Sequence, residues 1–309
     1  MRAVLASPNP HAGEAIGTFA FHIAHRTAAH AATRGGLDAL ARARSPPAMS
    51  ADLPPIVDLR GKRGLVIGIA NRDSIATGCA AAFARAGATL AATYVNARSE
   101  PFVRAVTDRL PCPLVLPCDV REPGQLDAVF ATIAAEWGTL DFVLHSIAFA
   151  PKADLHGRVT DCSAQGFGIA MDVSCHSLIR VARLAEPLMP AGGSLLAVTF
   201  YGSERVVRHY NLMGPVKAAL ESGVRYLAAE LGPQRICVNA VSPGPIRTRA
   251  ASGIDRFDTL LKRAAAEAPE HCLIDIADVG NLAAFLASGA ARHITGTVIP
   301  VDGGQHLGA

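Results

Sequence analysis

From Asp58 onward, short apolar runs are separated by alanine-rich or amphipathic stretches. Arg63–Gly68, Thr89–Tyr94, Leu114–Cys118, Leu140–Ser146, Ser194–Thr199, Arg235–Val241 and Thr297–Val301 read as seven strands. Ser74–Arg85, Gln125–Trp137 and Asn211–Leu231 read as helices between them. Ser74 is placed to cap the first helix, because a serine hydroxyl can accept from a free first-turn amide. Continuously apolar strands are buried on both faces, and strands that alternate with helices pair in parallel. With right-handed crossovers the pattern predicts an α/β fold, a single-domain, doubly wound parallel sheet of about seven strands.

Composition narrows the classes. Half of the 309 residues are hydrophobic and 18% are charged, which excludes disorder throughout. No stretch reaches the roughly 18 apolar residues of a membrane-spanning helix. The net charge of +3 is uneven. Residues 1–48 hold Arg2, Arg26, Arg34, Arg42 and Arg44 against Glu14 and Asp38, so the remainder carries 24 basic and 24 acidic residues. A neutral body argues against nucleic-acid binding, which depends on phosphate neutralisation. The seven cysteines are scattered with no Cys-x-x-Cys pair, which fits isolated thiols in a reducing, cytoplasmic compartment and no metal site.

Residues 1–48 form an extension rich in Ala and His. It can be a disordered arm, a transit peptide, or the product of an upstream start codon with Met49 as the first residue. The last reading is favoured, since Met49 leads directly into the strand–helix pattern and nothing before it carries chemistry. Residues 49–309 are then the catalytic domain.

The first strand–helix turn reads Gly68-Ile-Ala-Asn-Arg-Asp-Ser74-Ile75-Ala-Thr-Gly78. Glycines here let a backbone approach a pyrophosphate at a helix N-terminus, but the two are ten apart, so as a bare pattern the turn is a weak fingerprint. Together with His145-Ser146-Ile147-Ala148-Phe149-Ala150-Pro151, Tyr210-Asn-Leu-Met213-Gly-Pro-Val-Lys217, Ser242-Pro-Gly244-Pro245-Ile246-Arg-Thr248 and Val301-Asp302-Gly303-Gly304, it resembles the enoyl-acyl-carrier-protein reductases. These are a divergent branch of the short-chain dehydrogenase/reductases with a Rossmann-like fold. The resemblance spans about residues 56–306.

The resemblance implies NAD(P)H-dependent reduction of the 2,3 double bond of trans-2-enoyl thioesters, carried by acyl carrier protein or CoA, as in fatty-acid elongation. It places Gly68, Ser74 and Ile75 in the cofactor loop and Asp119 and Val120 beside the adenine. Ser146, Ile147 and Ala148 would lie under the ribose and nicotinamide, with Gly244, Ile246 and Thr248 at the nicotinamide amide and phosphates. Core packing is the competing reading for the Ile and Ala positions. The resemblance favours NADH, whereas Arg98 after the second strand leaves NADPH open. A homotetramer packed partly through the long helix is a further expectation.

Tyr210 and Lys217 carry the spacing of this branch; the four-residue spacing of ordinary relatives would put Met213 at the tyrosine position. Seven residues is nearly two helical turns, so both would share one helix face. Tyr210 would stabilise the oxyanion that develops on the thioester, and Lys217 would hold the ribose and lower the tyrosine pKa. Ala150, Phe200, Tyr210 and Met213 are the expected substrate pocket, with core packing the alternative for Met213. Two features depart from the family. Its second tyrosine is Phe200 here, so Tyr201 is a further catalytic candidate. The segment following Ser-Gly-Ile254, within a substrate loop at about 247–270, carries Asp255 and Asp258 where fatty-acid members carry basic residues that receive an acidic carrier. Arg205, Arg208, Arg249, Arg256, Lys262 and Arg263 remain for a basic rim. The alternatives are reduction of another enone or carbonyl, or NAD(P) binding without catalysis.

Overall fold

The computed structural model describes residues 55–248 and 257–308. The expectations for residues 1–48, and for Arg249, Asp255 and Arg256 of the substrate loop, lie outside them. Strands β1 (Arg63–Ile67), β2 (Thr89–Tyr94), β3 (Leu114–Pro117), β4 (Phe142–His145), β5 (Gly193–Val198), β6 (Ile236–Pro243) and β7 (Val298–Val301) form one sheet. The order is β3-β2-β1-β4-β5-β6-β7, and every pair is parallel. The chain leaves β1 in one direction for β2 and β3, then returns to β4 and runs the other way. That reversal makes a crevice at the carboxyl ends of β1 and β4, where open α/β sheets bind ligands.

The helices are α1 (Ile75–Arg85), α2 (Glu100–Thr107), α3 (Gln125–Trp137), α4 (Ala164–Met171), α5 (Ser177–Ala185), α6 (Met213–Leu231), α7 (Phe257–Glu267) and α8 (Ile276–Ala287). α4 and α5 are joined by a single π turn at Asp172–His176. Apolar clusters cover both faces of the sheet, as the continuously buried strand patterns require. Helix α1 lies on one face directly against α8, and two glycines allow it. A Cβ on Gly78 would sit 2.0 Å from the Ile276 carbonyl oxygen, and one on Gly280 would sit 2.4 Å from that of Gly78. Gly78 is therefore a packing residue between helices. Among the described residues no helix is long and apolar enough to cross a membrane.

Two local expectations are corrected. The long helix starts at Met213, two residues late, because Asn211 takes a left-handed backbone conformation at φ 43° and breaks the helical path. Ser74 is the N-cap residue of α1, but its hydroxyl makes no capping bond. It donates instead to the Asn71 carbonyl at 3.0 Å and accepts from the Ala70 amide at 3.3 Å, closing the loop on itself.

Candidate active site

The residues predicted to act converge at the carboxyl edge of the sheet. Ile75, Ala148, Ala150, Phe200, Tyr210, Met213, Gly244, Ile246 and Thr248 all line one cavity of about 180 Å³. Each comes from a loop that follows a strand or opens a helix, so the sheet supplies the rigid base and the loops the chemistry.

Two features hold the cofactor side. Gly68 ends β1 at φ 117°, and a Cβ there would stand 2.1 Å from the Ser146 carbonyl oxygen. Only glycine lets the ends of β1 and β4 come this close. The Ser74 hydroxyl is turned into its own loop, which leaves the first-turn amides of α1 without a side-chain cap and facing the crevice end of the helix. An uncapped helix N-terminus beside a glycine that permits close approach suits a pyrophosphate, so the residues present fit a dinucleotide.

Asp119 and Val120 follow β3. The Asp119 carboxylate is paired with Arg121 at 2.6 Å, which holds its pKa below the ordinary carboxylate value. The Val120 side chain is buried in the core, and its carbonyl accepts from Arg180 at 2.8 Å. Ile147 also packs on the core, so it supports the floor of the crevice from below. Neither Asp119, Val120, Ser146 nor Ile147 lines the cavity that holds Tyr210.

The wall after β4 is fixed by the π turn. Ser174 donates to the Phe149 carbonyl at 3.1 Å and accepts from the Phe149 amide at 2.9 Å. Ser177 donates to Val173 at 2.7 Å, so its oxygen accepts from His145 Nε2 at 2.6 Å. One wide turn thereby brings two serines onto the segment that carries Ala148 and Ala150. π turns recur at functional sites for this kind of re-aiming.

Tyr210 is buried, with its ring 4.8 Å from that of Phe200. Burial first, then the Glu221 charge, pushes its pKa up. This corrects the expectation that Lys217 lowers it, and the hydroxyl stays a protonated donor at neutral pH. Lys217 is also buried, and burial brings its pKa down to about 8 while Glu221 opposes the shift. Its ammonium donates to the Val198 carbonyl at 2.7 Å. Tyr210 precedes the helix and Lys217 does not line the Tyr210 cavity, so the turn at Asn211, and not a shared helix face, sets where the tyrosine stands. The Asn211 amide in turn donates to the Leu155 carbonyl at 3.0 Å and ties down the turn at Lys152–Leu155.

Tyr201 is not in this cavity. Its ring packs on the other side of the Phe200 turn, 4.6 Å from that ring, and its hydroxyl accepts from Gln305 at 3.3 Å. It lines a neighbouring cavity of about 370 Å³ with Arg205, Arg208 and Arg263. Sequence reasoning missed Thr199, Leu155 and Phe257 in the Tyr210 cavity, and Glu221 behind it. Glu221 was legible as a carboxylate one helical turn after Lys217.

Residues 68–306 match the family model described as enoyl-(acyl carrier protein) reductase. The chain is 45% identical over 255 residues to enoyl-[acyl-carrier-protein] reductase [NADH] FabI of a Synechocystis strain, covering 82% of this chain and 99% of that protein. It is 46% identical over 251 residues to the Bacillus cereus protein of the same name, covering 81% and 98%. The solved reductase of Anaplasma phagocytophilum in complex with NAD superposes with a TM-score of 0.78 at 44% identity, covering 81% and 95%. The Bacillus cereus enzyme with NADP+ and indole naphthyridinone gives 0.79 at 45%, covering 82% and 99%. With Tyr210 in the crevice cavity, Lys217 buried against the end of β5 and a match over most of its length, the chain belongs to the enoyl-acyl-carrier-protein reductase family.

Proposed function

We propose that this protein reduces the 2,3 double bond of trans-2-enoyl thioesters with NADH. The observation that carries this reading is the buried Tyr210 hydroxyl, kept protonated in the wall of an apolar cavity, with Lys217 buried against the end of β5. NADH, when bound, supplies a hydride to the β-carbon of the enoyl group. Gly68, Ser74 and Ile75 would hold its pyrophosphate side, Asp119 and Val120 its adenine, and Ser146, Ala148, Gly244, Ile246 and Thr248 its ribose and nicotinamide.

The chain's own groups do the rest. Negative charge develops on the thioester oxygen, and Tyr210 donates to it. Such a donor acts most strongly in apolar surroundings, and Phe200, Met213 and Leu155 line the cavity with it. Lys217 would bind the ribose hydroxyls of the nicotinamide half, and its ammonium would supply positive charge at that end of the site. Proton delivery to the α-carbon completes the saturated thioester.

Residues 49–309 act as this reductase domain, with 1–48 as an extension, in a cytoplasmic homotetramer. Acyl carrier protein is the physiological carrier. One pair favours a second reading, reduction of another enone or carbonyl. Asp258, on the segment where family members carry basic docking residues, is held by Arg247 at 2.8 Å and adds no positive charge there. NADH and NADPH oxidation with crotonyl-CoA, longer enoyl-CoAs and enoyl-acyl carrier protein, with the saturated thioester identified by mass, tests the proposal. Absence of turnover with every enoyl thioester rejects it.

A further inference from the structure

Behind the catalytic pair lies a buried acid that the mechanism above does not use. Glu221 is 4% exposed and sits one turn after Lys217 on the same buried side of α6. Its carboxylate accepts from the Thr199 hydroxyl at 2.5 Å. Thr199 directly follows β5, is itself a wall residue of the Tyr210 cavity, and its amide donates to Val241 at 2.9 Å. The preceding residue, Val198, supplies the carbonyl that accepts from Lys217. The residue after it is Phe200, against which the Tyr210 ring packs. Three consecutive residues thus contact the lysine, the acid and the tyrosine in turn.

We propose that Glu221 is a positioning residue of the reduction, acting with Thr199 to hold the ammonium of Lys217 charged and in place and to fix the turn that orients Tyr210. A carboxylate is costly to bury unless it is paired and hydrogen-bonded. Thr199 provides the hydrogen bond, and the acid charge is felt at both Lys217 and Tyr210, a placement that a purely structural carboxylate would not need. The Thr199 proton is committed to Glu221, so its oxygen offers the cavity only acceptor lone pairs.

The groups that face Lys217 decide what titrates. Glu221 lies on its own helix, Cys175 on the π turn and His145 on β4. The Cys175 thiol is raised by burial and the His145 imidazole is lowered by it, so both are neutral near pH 7. Glu221 is therefore the group that opposes loss of the Lys217 proton.

The inference rests on the enoyl reductase reading, and its test is separate from the test of that reading, because it compares variants once wild-type turnover is measured. The profile of kcat/KM against pH is recorded for wild type, Glu221→Gln, Glu221→Asp, Thr199→Val and Thr199→Ser. Lys217 is charged below about pH 8, so wild-type activity falls above it. Removing the negative charge lowers that value further. In Glu221→Gln the alkaline limb moves down by about one pH unit, a loss of about fivefold at pH 8 and under twofold at pH 6. Glu221→Asp keeps the limb in place. Thr199→Val lowers kcat several-fold and leaves the limb fixed, and Thr199→Ser restores the rate. A purely structural acid would lower activity equally at all pH values. An unmoved limb in Glu221→Gln overturns the proposal. So does full activity in Thr199→Val, which decides the matter if Glu221→Gln does not fold.

Discussion

Replacing Gly68 by alanine isolates the close approach on which the crevice is built. At φ 117° an L-residue is strained, and the added methyl meets the Ser146 carbonyl oxygen at 2.1 Å. Strain at such a backbone position costs about 1–3 kcal/mol. The collision forces β1 and β4 apart at their ends, with an overpacking cost of about 1–3 kcal/mol. The expected loss is roughly 2–6 kcal/mol, against a typical total stability of about 5–15 kcal/mol. Gly124 supplies the control. It also has a positive φ, 80°, but no atom lies within 4 Å of its added Cβ. Gly124→Ala therefore carries only the conformational cost, about 1–2 kcal/mol. Urea unfolding of both variants measures the difference, and cofactor titration by nucleotide fluorescence shows whether binding falls with it in Gly68→Ala alone. Equal stability of the two variants, within about 0.5 kcal/mol, would refute the steric reasoning.

Other consequences are open to direct measurement. His145 is fully buried and its pKa is held down to about 3, by burial first and Lys217 second. Its folded value lies below the unfolded one, so its contribution is complete above about pH 6.5 and is lost as pH falls from there toward 3. The slope is at most about 1.4 kcal/mol per pH unit. Subtracting the unfolding free energy of His145→Asn from that of wild type across this range should reveal the slope, and a flat difference contradicts it. Asn211→Ala loses the bond to Leu155 and must carry φ 43°, costing about 1–3 kcal/mol and raising the thioester KM. Asn211→Gly relieves the backbone and should recover part of the stability without the KM, which denaturation and steady-state kinetics separate. Arg98 is exposed just after β2, so Arg98→Ala should raise the KM for NADPH several-fold and leave that for NADH within twofold. Equal changes for both cofactors would remove it from 2′-phosphate recognition.

The sheet was legible because each of its strands is an apolar run, continuously buried in β4 and β6 and partly buried in the edge strands β3 and β7. The short α2 and the helices α4, α5 and α7 were harder to see. α4 and α5 are one rod whose register shifts at the π turn, so no single helical period runs through it. α8 carried a signal that went unread, the capping box in which Asp275 and Asp278 each accept from the other's amide. The crevice residues were identified by motif, and most meet in one cavity. What spacing could not give was where Tyr210 stands ahead of the helix that carries Lys217. The left-handed turn at Asn211 is a tertiary feature held by Leu155, and helical arithmetic across it describes a geometry the chain does not adopt. The direction of the Tyr210 shift failed for a related reason, because burial of the hydroxyl depends on Phe200 and its neighbours and outweighs charges counted along the sequence.

The central claim is that the Tyr210 hydroxyl stabilises charge on an enoyl thioester. Steady-state NADH oxidation with crotonyl-CoA and a longer enoyl thioester, for wild type and Tyr210→Phe at equal cofactor occupancy, tests it most directly. The account predicts thioester-dependent turnover by the wild type and a kcat about 10²–10³ lower in Tyr210→Phe with cofactor affinity unchanged. Equal kcat in the two proteins, or no wild-type turnover with either thioester, would contradict it.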